Sequence, residues 1–284
     1  AAVKKQILST GATTVVLVDY PGFNLRMAKW AKAQGLRVVY YIPPKVWAWK
    51  SGRAQVLKEQ CDAILGILPF EQKWYADRNI DYTYVGNPLA QYYSGVNAYL
   101  PEGSIALLPG SRSQEIGRLL PEFIAVAKAM PKQAFVLIRP ESAVPVWPNL
   151  ETPENIKVFT GELKDGMKHC SAALVCSGTA TLEVALMGVP QLVVYRANPV
   201  SLAIAKRFVK IRYISLPNLI LDTGALPELL QEDARAEALV ERLVELLADP
   251  SSQLDAYTKL LHVLQQKDPA ATAAEHILTI SSDA

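Results

Sequence analysis

Short runs of aliphatic and β-branched residues alternate along most of the chain with stretches that have helical periodicity. The run at residues 14–19 predicts a strand buried on both faces, and the stretch after it predicts a helix that ends at Gly35. This alternation is typical of βαβ units, in which helices cover a parallel sheet. Further strands are predicted at residues 37–42, 63–68, 82–85, 104–109, 134–138, 172–177 and 191–195, and further helices at 51–60, 116–129, up to 187 and from 199.

A segment rich in Gly, Pro, Ser and Asn, residues 86–104, separates two series of such units. We therefore predict an α/β protein with two Rossmann-like domains, at residues 1–98 and 99–284. The first series opens almost directly on a strand, so we expect the N-terminal domain to be incomplete, with further βα units upstream. From Leu226 onward the pattern predicts almost only helix. Its apolar stripe consists of Leu239, Val240, Leu243, Val244 and Leu247.

Composition restricts the class of protein. Half of the 284 residues are hydrophobic, and 29 basic against 27 acidic residues give a net charge of only +2, which argues against a nucleic-acid-binding protein. Three scattered cysteines and three scattered histidines predict a reducing compartment and no metal site. No apolar run approaches the ~20 residues that span a bilayer, and the first residues lack the apolar core of a signal peptide. We therefore expect a cytosolic protein.

Two loops follow predicted strands, at the edge where open α/β sheets bind their ligands. The first contains LLPGSRSQEIGR, residues 107–118. Gly110 leaves the backbone accessible, and Arg112 offers a fork of donors suited to phosphate oxygens. The alternative is a surface turn in which Arg112 pairs with Glu115. Neither loop contains the glycine pattern of a P-loop or of a dinucleotide-binding turn, which argues against both classes.

The second loop contains SGTATLE, residues 177–183, and opens a predicted helix. Ser177 and Thr179 are good N-cap types, Gly178 lets a ligand approach the backbone, and free N–H groups at a helix start favour a phosphate. Glu183 lies four residues after Thr179 on the same face, where a carboxylate could bind the vicinal hydroxyls of a ribose. The alternative is an ordinary capping turn with an exposed Glu183.

A third candidate is VDYPGFN, residues 18–24. Asp19 ends a predicted buried strand, and a carboxylate that faces a ligand cleft could take a proton from an attacking hydroxyl. The alternative is an Asx turn assisted by Pro21 and Gly22, which is a common arrangement.

A fourth feature is an asymmetry of charge. No acidic residue occurs between Val184 and Leu221. A predicted helix there has an apolar edge beside basic residues and could rest on anionic headgroups, or its apolar edge could face the core. The edge consists of Val200, Ile204 and Phe208, and the basic residues are Arg196, Lys206, Arg207, Lys210 and Arg212.

Seven short motifs follow one another in a specific order: VDYPGFNLR, VWAW, LPFE, GNPL, LLPGSR, SGTATLE and SLPNL. In this order and spacing, over nearly the whole chain, the sequence resembles the lipid-A-disaccharide synthase family. The resemblance implies an inverting glycosyltransferase of the B-type fold. It implies transfer of 2,3-diacylglucosamine from UDP-2,3-diacylglucosamine to 2,3-diacylglucosamine 1-phosphate, with release of UDP and formation of a β-1,6 linkage. It implies no metal and no cofactor.

The resemblance also implies roles for residues that match the family's motifs. Asp19 matches the proposed general base, which would deprotonate the 6-hydroxyl of the acceptor. Arg112 would meet the UDP phosphates, and Arg196 and Asn218 match positions near the site. The residues that would line the nucleotide pocket are Ser177, Gly178, Thr179 and Glu183.

Both implied substrates carry acyl chains, which gives a meaning to the segment YYIPPKVWAWKSGR, residues 40–53. Trp47 and Trp49, beside Lys45, suit the boundary between headgroups and acyl tails; alternatively, both tryptophans tuck under the loop as core. We therefore expect a peripheral protein on the cytoplasmic face of the inner membrane. Formation of a homodimer is a further possibility that the sequence does not decide. Two rival functions also stay open: a B-type enzyme that uses UDP-N-acetylglucosamine, and a non-catalytic nucleotide-sugar-binding module at the membrane surface.

Overall fold

The computed structural model describes residues 2–48, 51–141, 147–148, 151–198, 212–265 and 268–282. They form two compact units. The first comprises the described residues up to Gln91 and those from Val263 onward, and the second comprises the described residues from Tyr92 to His262. Each unit contains one parallel sheet covered by helices, as predicted for an α/β protein with two Rossmann-like parts.

In chain order the described elements are α1 (Ala2–Ser9), β1 (Thr14–Val18), α2 (Pro21–Ala33), β2 (Arg37–Tyr41), α3 (Arg53–Gln60), β3 (Ala63–Gly66), α4 (Pro69–Ala76), β4 (Thr83–Tyr84), α5 (Pro88–Tyr92), β5 (Tyr99–Leu108), α6 (Ser113–Ala129), β6 (Phe135–Arg139), β7 (Ile156–Thr160), α7 (Leu163–Gly166), β8 (Cys170–Cys176), α8 (Thr179–Leu186), β9 (Gln191–Tyr195), α9 (Leu216–Leu221), β10 (Glu228–Leu230), α10 (Ala236–Ala248), α11 (Ser251–Leu264) and α12 (Pro269–Ser282).

The sheet of the first unit has the strand order β1-β2-β3-β4, with all neighbours parallel. Leu17 and Tyr40 lie on one face, in a core formed with α2 and α3. On the other face Val39 and Leu65 pack against Ala273 of α12. The last helix therefore belongs to the first unit, which differs from the predicted division at residues 98 and 99. The apolar side of α12 completes the burial of the two central strands.

Strand β1 is buried on one face only, so the prediction of burial on both faces is wrong. Leu17 is 6% exposed, whereas Val16 is 40% and Val18 51% exposed. Among the described strands, β1 lies at the edge of this sheet, and α12 packs against β2 and β3.

The sheet of the second unit has the order β10-β9-β8-β5-β6-β7, again all parallel. Every residue of β8 is buried, as expected for a central strand with helices on both faces. Residues 228–230 form β10, which pairs with β9, so the prediction of almost only helix after Leu226 is wrong there. In α10 the residues Leu239 and Leu243 are buried as predicted, but Val244 is 52% exposed because the buried stripe continues through Leu246 instead.

Within the described part of the chain, no helix has both the length and the apolar character needed to cross a bilayer. The basic helix predicted from residue 199, with Val200, Ile204 and Phe208 on its apolar edge, lies outside the described residues, as does Trp49.

Candidate active site

Three neighbouring strands of the second unit end at the same edge of the sheet. Strand β8 lies between β5 and β9, and the last pairs are Leu108 with Val175 and Cys176 with Val194. Because the strands are parallel, the loops at residues 109–112 and 177–178 and the segment from Arg196 leave side by side. The second unit thus brings together the two loops predicted to bind a nucleotide.

The first loop depends on Gly110. Its φ of +108° is a backbone conformation that residues with a side chain rarely adopt. A Cβ atom at this position would lie 2.6 Å from Oε2 of Glu115 and 3.3 Å from Sγ of Cys176. The absence of a side chain therefore lets this loop pass directly against the end of β8, next to the second loop.

Glu115 holds the first loop in place from the first turn of α6. Its Oε2 accepts hydrogen bonds from the backbone N–H groups of Ser111 and Arg112, each at 3.3 Å, and its Oε1 accepts one from Nη1 of Arg112 at 2.7 Å. The paired arrangement considered as the alternative is therefore present. The Arg112 side chain is 80% exposed, however, and an exposed ion pair contributes only about 0–1 kcal/mol. An arriving phosphate can compete for the remaining guanidinium donors.

The second loop begins helix α8 with Gly178 as its N-cap. The prediction that Ser177 or Thr179 caps the helix is wrong, because Oγ of Ser177 instead donates to the carbonyl oxygen of Ile214 at 3.1 Å. Gly178 is extended and exposed, and a Cβ atom there would meet no atom within 4 Å. The first N–H groups of a helix have no carbonyl partner in a preceding turn. The space beside Gly178 is open here, so an anion can approach the start of the helix closely.

Glu183 lies one turn beyond Thr179 and is only partly exposed, unlike the exposed glutamate of the alternative. The hydroxyl of the buried Tyr93 donates to its Oε1 at 2.9 Å. Burial raises the pKa of Glu183, and the bond from Tyr93 acts in the opposite direction. The carboxylate is thus fixed in orientation near the start of α8.

Arg196 and Asn218 are both engaged within the second unit. Arg196 forms an ion pair with Glu122 of α6, whose second oxygen accepts the N–H of Ala236 at 2.9 Å. Asn218 is fully buried and exchanges two hydrogen bonds with the backbone of Leu226. It also donates to Glu228 at 2.9 Å. These contacts give both residues a role in holding the segments around the loops.

Asp19 follows β1 in the first unit, and its side chain is exposed. Asp19 and Tyr20 both have left-handed backbones, with φ of 45° and 42°, although neither is glycine. Such conformations cost about 1–3 kcal/mol each and cluster at functional sites. The Asx-turn alternative fails, because the residue that would supply the N–H is Pro21.

Two side chains hold this strained turn. The carbonyl oxygen of Asp19 accepts hydrogen bonds from Nδ2 of Asn24 at 2.8 Å and from the hydroxyl of Tyr40 at 2.7 Å. Nδ2 of Asn24 also donates to the carbonyl of Val18 at 2.9 Å. Both residues are buried, so the core holds the backbone of this turn in place.

Sequence reasoning missed the supporting residues Asn24, Tyr40 and Glu71. Glu71 is only 2% exposed and accepts a hydrogen bond from Nε1 of Trp47 at 2.6 Å. Trp47 is half-buried, and its predicted role at the membrane stays a prediction. A usable signal was present for two of the three, because Asn24 and Glu71 are polar residues inside the motifs VDYPGFN and LPFE.

Comparisons with known proteins agree with this arrangement. The family model for lipid-A-disaccharide synthetase matches residues 1–280. The lipid-A-disaccharide synthase of Trichlorobacter lovleyi is 34% identical over 282 residues, which are 93% of this chain and 73% of that protein. The enzyme of the same name from Pseudomonas putida KT2440 is 36% identical over 284 residues, 94% of this chain and 75% of that protein.

A solved structure supports the fold alone. The spinosyn rhamnosyltransferase SpnG, solved as a complex with thymidine diphosphate, has a TM-score of 0.64 at 14% identity and covers 96% of this chain and 75% of its own. It is a glycosyltransferase, and the two-sheet architecture is that of the B-type glycosyltransferase fold. Together with the family match, these findings show that the chain belongs to the lipid-A-disaccharide synthase family, glycosyltransferases that make the lipid A disaccharide.

Proposed function

We propose that the protein transfers 2,3-diacylglucosamine from its UDP donor to the 6-hydroxyl of 2,3-diacylglucosamine 1-phosphate. The products would be the β-1,6-linked disaccharide 1-phosphate and UDP. The observation that carries the proposal is the junction of the two loops in the second unit. Gly110 packs against Cys176 at the end of β8, which brings Arg112 and the start of α8 to one edge of the sheet.

This edge suits the leaving diphosphate. Negative charge grows on the diphosphate as its bond to the sugar breaks. Hydrogen-bond groups that already point at the diphosphate stabilise this transition state more than they stabilise the bound UDP-sugar. The guanidinium of Arg112 and the N–H groups at the start of α8 supply such donors. Glu183, held by Tyr93, is placed to bind the ribose hydroxyls of the uridine.

Asp19 would act on the acceptor. Inversion requires one in-line attack, in which the acceptor hydroxyl loses its proton as its oxygen bonds to the anomeric carbon. The proton goes to the Asp19 carboxylate, and the electron pair of the breaking bond leaves with UDP. An exposed carboxylate on a rigid turn satisfies the geometric need for a base that the substrate can reach.

A transfer assay with purified full-length protein tests this proposal. The reaction would contain UDP-2,3-diacylglucosamine and 2,3-diacylglucosamine 1-phosphate, with the disaccharide detected by mass spectrometry and UDP by a coupled assay. We expect both products in equal amounts. Turnover of UDP-N-acetylglucosamine instead would favour a different B-type enzyme, and UDP binding without turnover would favour a non-catalytic module.

We also propose that the protein works as a peripheral protein at the membrane surface that holds its acylated substrates. Trp49 and the exposed part of the half-buried Trp47 would lie at the boundary of headgroups and tails, beside the exposed Lys45. Replacing both tryptophans with Ser should weaken binding to anionic liposomes. Unchanged binding would contradict this part of the proposal.

A further inference from the structure

A buried carboxylate lies in the first unit outside the proposed reaction. Glu71 follows β3 in the first turn of α4 and is 2% exposed. Its Oε1 accepts a hydrogen bond from Nε1 of Trp47 at 2.6 Å, and its Oε2 accepts one from the hydroxyl of Tyr82 at 2.5 Å. Both oxygens of this carboxylate are therefore bonded to side chains from other parts of the unit.

Trp47 belongs to residues 43–48, the segment that follows β2. The edge of its ring also packs on Phe70 of α4, with ring centroids 4.9 Å apart. Lys45 of the same segment interacts electrostatically with Glu71 and with Asp19. The segment is thus held to α4 through Trp47. It begins two residues after Tyr41, whose carbonyl oxygen accepts the N–H of Asp19 at 3.0 Å.

The charged and titratable groups that face Glu71 come from three places. Lys45 and the indole of Trp47 belong to the segment after β2, Tyr82 precedes β4, and Tyr75 lies on α4 itself. Burial raises the pKa of Glu71 to about 7, while the hydrogen bonds from Tyr82 and Trp47 and the charge of Lys45 act in the opposite direction. A carboxylate buried in this way adds little net stability compared with an apolar side chain, so its contacts need another explanation.

We propose that Glu71 is a positioning residue that holds residues 43–48 beside Asp19, where this segment contacts the glycosyl acceptor. The inference rests on the proposed function, since it assigns Asp19 to the acceptor side. It goes beyond that function by predicting that Glu71, a residue outside the unit that would bind the diphosphate, affects acceptor binding without affecting donor binding. The contact that transmits this control is the bond between Glu71 and the indole N–H of Trp47.

Two substitutions remove this contact from opposite ends. Trp47→Phe deletes the N–H and keeps an aromatic ring against Phe70, and Glu71→Leu deletes the acceptor and keeps the volume. The loss of a hydrogen bond to a charged group changes an equilibrium constant by roughly tenfold or more. Each substitution should therefore raise the acceptor KM about tenfold. The double variant should be no worse than either single variant, because both remove the same interaction. The donor KM should stay within about twofold.

Glu71→Gln is the conservative variant. Its Oε1 can accept the indole N–H, and its Nε2 can donate to Tyr82, whose hydroxyl already has a second acceptor in the carbonyl of Leu68 at 3.1 Å. This variant imitates the protonated carboxyl. We expect its acceptor KM to lie closer to the wild type than that of Glu71→Leu, to be independent of pH between 6 and 8, and to match the low-pH limit of the wild type. Lys73→Ala, on the exposed side of α4, is the matched control.

A spectroscopic measurement checks the contact without turnover. The indole N–H signal of Trp47, assigned by its loss in Trp47→Phe, should shift with pH with a midpoint at about 7, and it should not shift in Glu71→Gln. An indole N–H signal that does not shift with pH in the wild type would overturn the inference. So would additive effects in the double variant, an unchanged acceptor KM in an active Glu71→Leu, or equal losses for donor and acceptor. Absence of any transfer by the wild type would overturn the proposed function and this inference with it, whereas the other outcomes overturn this inference alone.

Discussion

The two units have the same kind of parallel sheet, but they place opposite chemistry at the ends of their strands. In the second unit the strand ends carry Arg112 and the N–H groups at the start of α8, which favour an anion. In the first unit they carry the carboxylates of Asp19 and Glu71. The fold therefore does not determine the chemistry. The residues in the loops determine whether the carboxyl ends of the strands suit a phosphate or a base that activates a hydroxyl.

The loops also reach their unusual conformations in different ways. The second unit uses glycine, since Gly110 needs a positive φ and has no room for a Cβ atom. The first unit places Asp19 and Tyr20 in the left-handed region and holds them through Asn24 and Tyr40. A ligand can approach a glycine loop closely, whereas the buried side chains of Asn24 and Tyr40 hold the backbone that carries the Asp19 carboxylate.

The largest effect is expected at the carboxylate of the first unit. Asp19→Asn removes the base and keeps the shape of the turn, and a positioned base contributes roughly 10²–10⁴-fold. We expect kcat to fall by about 10³-fold with an unchanged affinity for UDP, measured by calorimetry. A rate within a fewfold of the wild type would show that the two units do not divide the chemistry as proposed.

The second prediction concerns the stability contributed by Glu71. Its pKa is about 7 in the folded protein against an ordinary value of 4.5, so between these pH values the folded state binds more protons than the unfolded state. The free energy of unfolding should therefore fall as the pH rises from 4.5 to 7. At about 1.4 kcal/mol per pKa unit, the fall amounts to about 3 kcal/mol.

Urea unfolding of the wild type and Glu71→Gln at pH 5 and pH 8 measures this effect. Every other titrating group is present in both proteins, so the difference between the two pH dependences isolates Glu71. We expect the wild type to lose about 3 kcal/mol more than the variant over this range. Parallel pH dependences would show that Glu71 is not a buried titrating group.

The alternation of apolar runs was enough to predict the two sheets and most strands, because central strands such as β8 are continuous apolar runs. The same pattern gave wrong predictions where the burial or pairing of a residue depends on distant parts of the chain. The sequence near Val16 does not show that α12 covers β2 and β3 but not β1, and Glu228–Leu230 is a strand only because β9 pairs with it.

The candidate site was predictable to the extent that it is local. Gly110, Arg112 and Gly178 lie in short motifs directly after strands, so their common edge follows from parallel pairing. The supports were not predictable, because Tyr40 reaches Asp19 from a different strand and Tyr93 reaches Glu183 across 90 residues. Tyr82, which directly precedes β4, reaches Glu71 in the first turn of α4. Such contacts require the fold itself.

A third prediction tests the cation of the second unit. Arg112→Ala should weaken UDP binding about tenfold, because a charge-assisted bond to phosphate corresponds to roughly 1.5–3 kcal/mol and the exposed side chain loses part of this to solvent. The loss should shrink at high salt. Lys128→Ala, an exposed cation at the other end of α6, is the control. Equal effects of the two substitutions would indicate that the overall positive charge attracts UDP, without a specific contact between Arg112 and a phosphate.

The smallest expected effect distinguishes the roles of Gly178 and Gly110, because one substitution should change UDP affinity and the other should change stability. Gly178→Ala adds a methyl group where the protein leaves open space and the backbone is already extended, so stability should be unchanged or slightly higher. If a phosphate fills that space, UDP affinity should still fall about fivefold, which corresponds to about 1 kcal/mol. Gly110→Ala should instead lower the melting temperature, because its Cβ atom would meet Glu115 and Cys176. Full UDP affinity in a stable Gly178→Ala protein would place the diphosphate away from α8, and the contrast between the two strand edges would then rest on Arg112 alone.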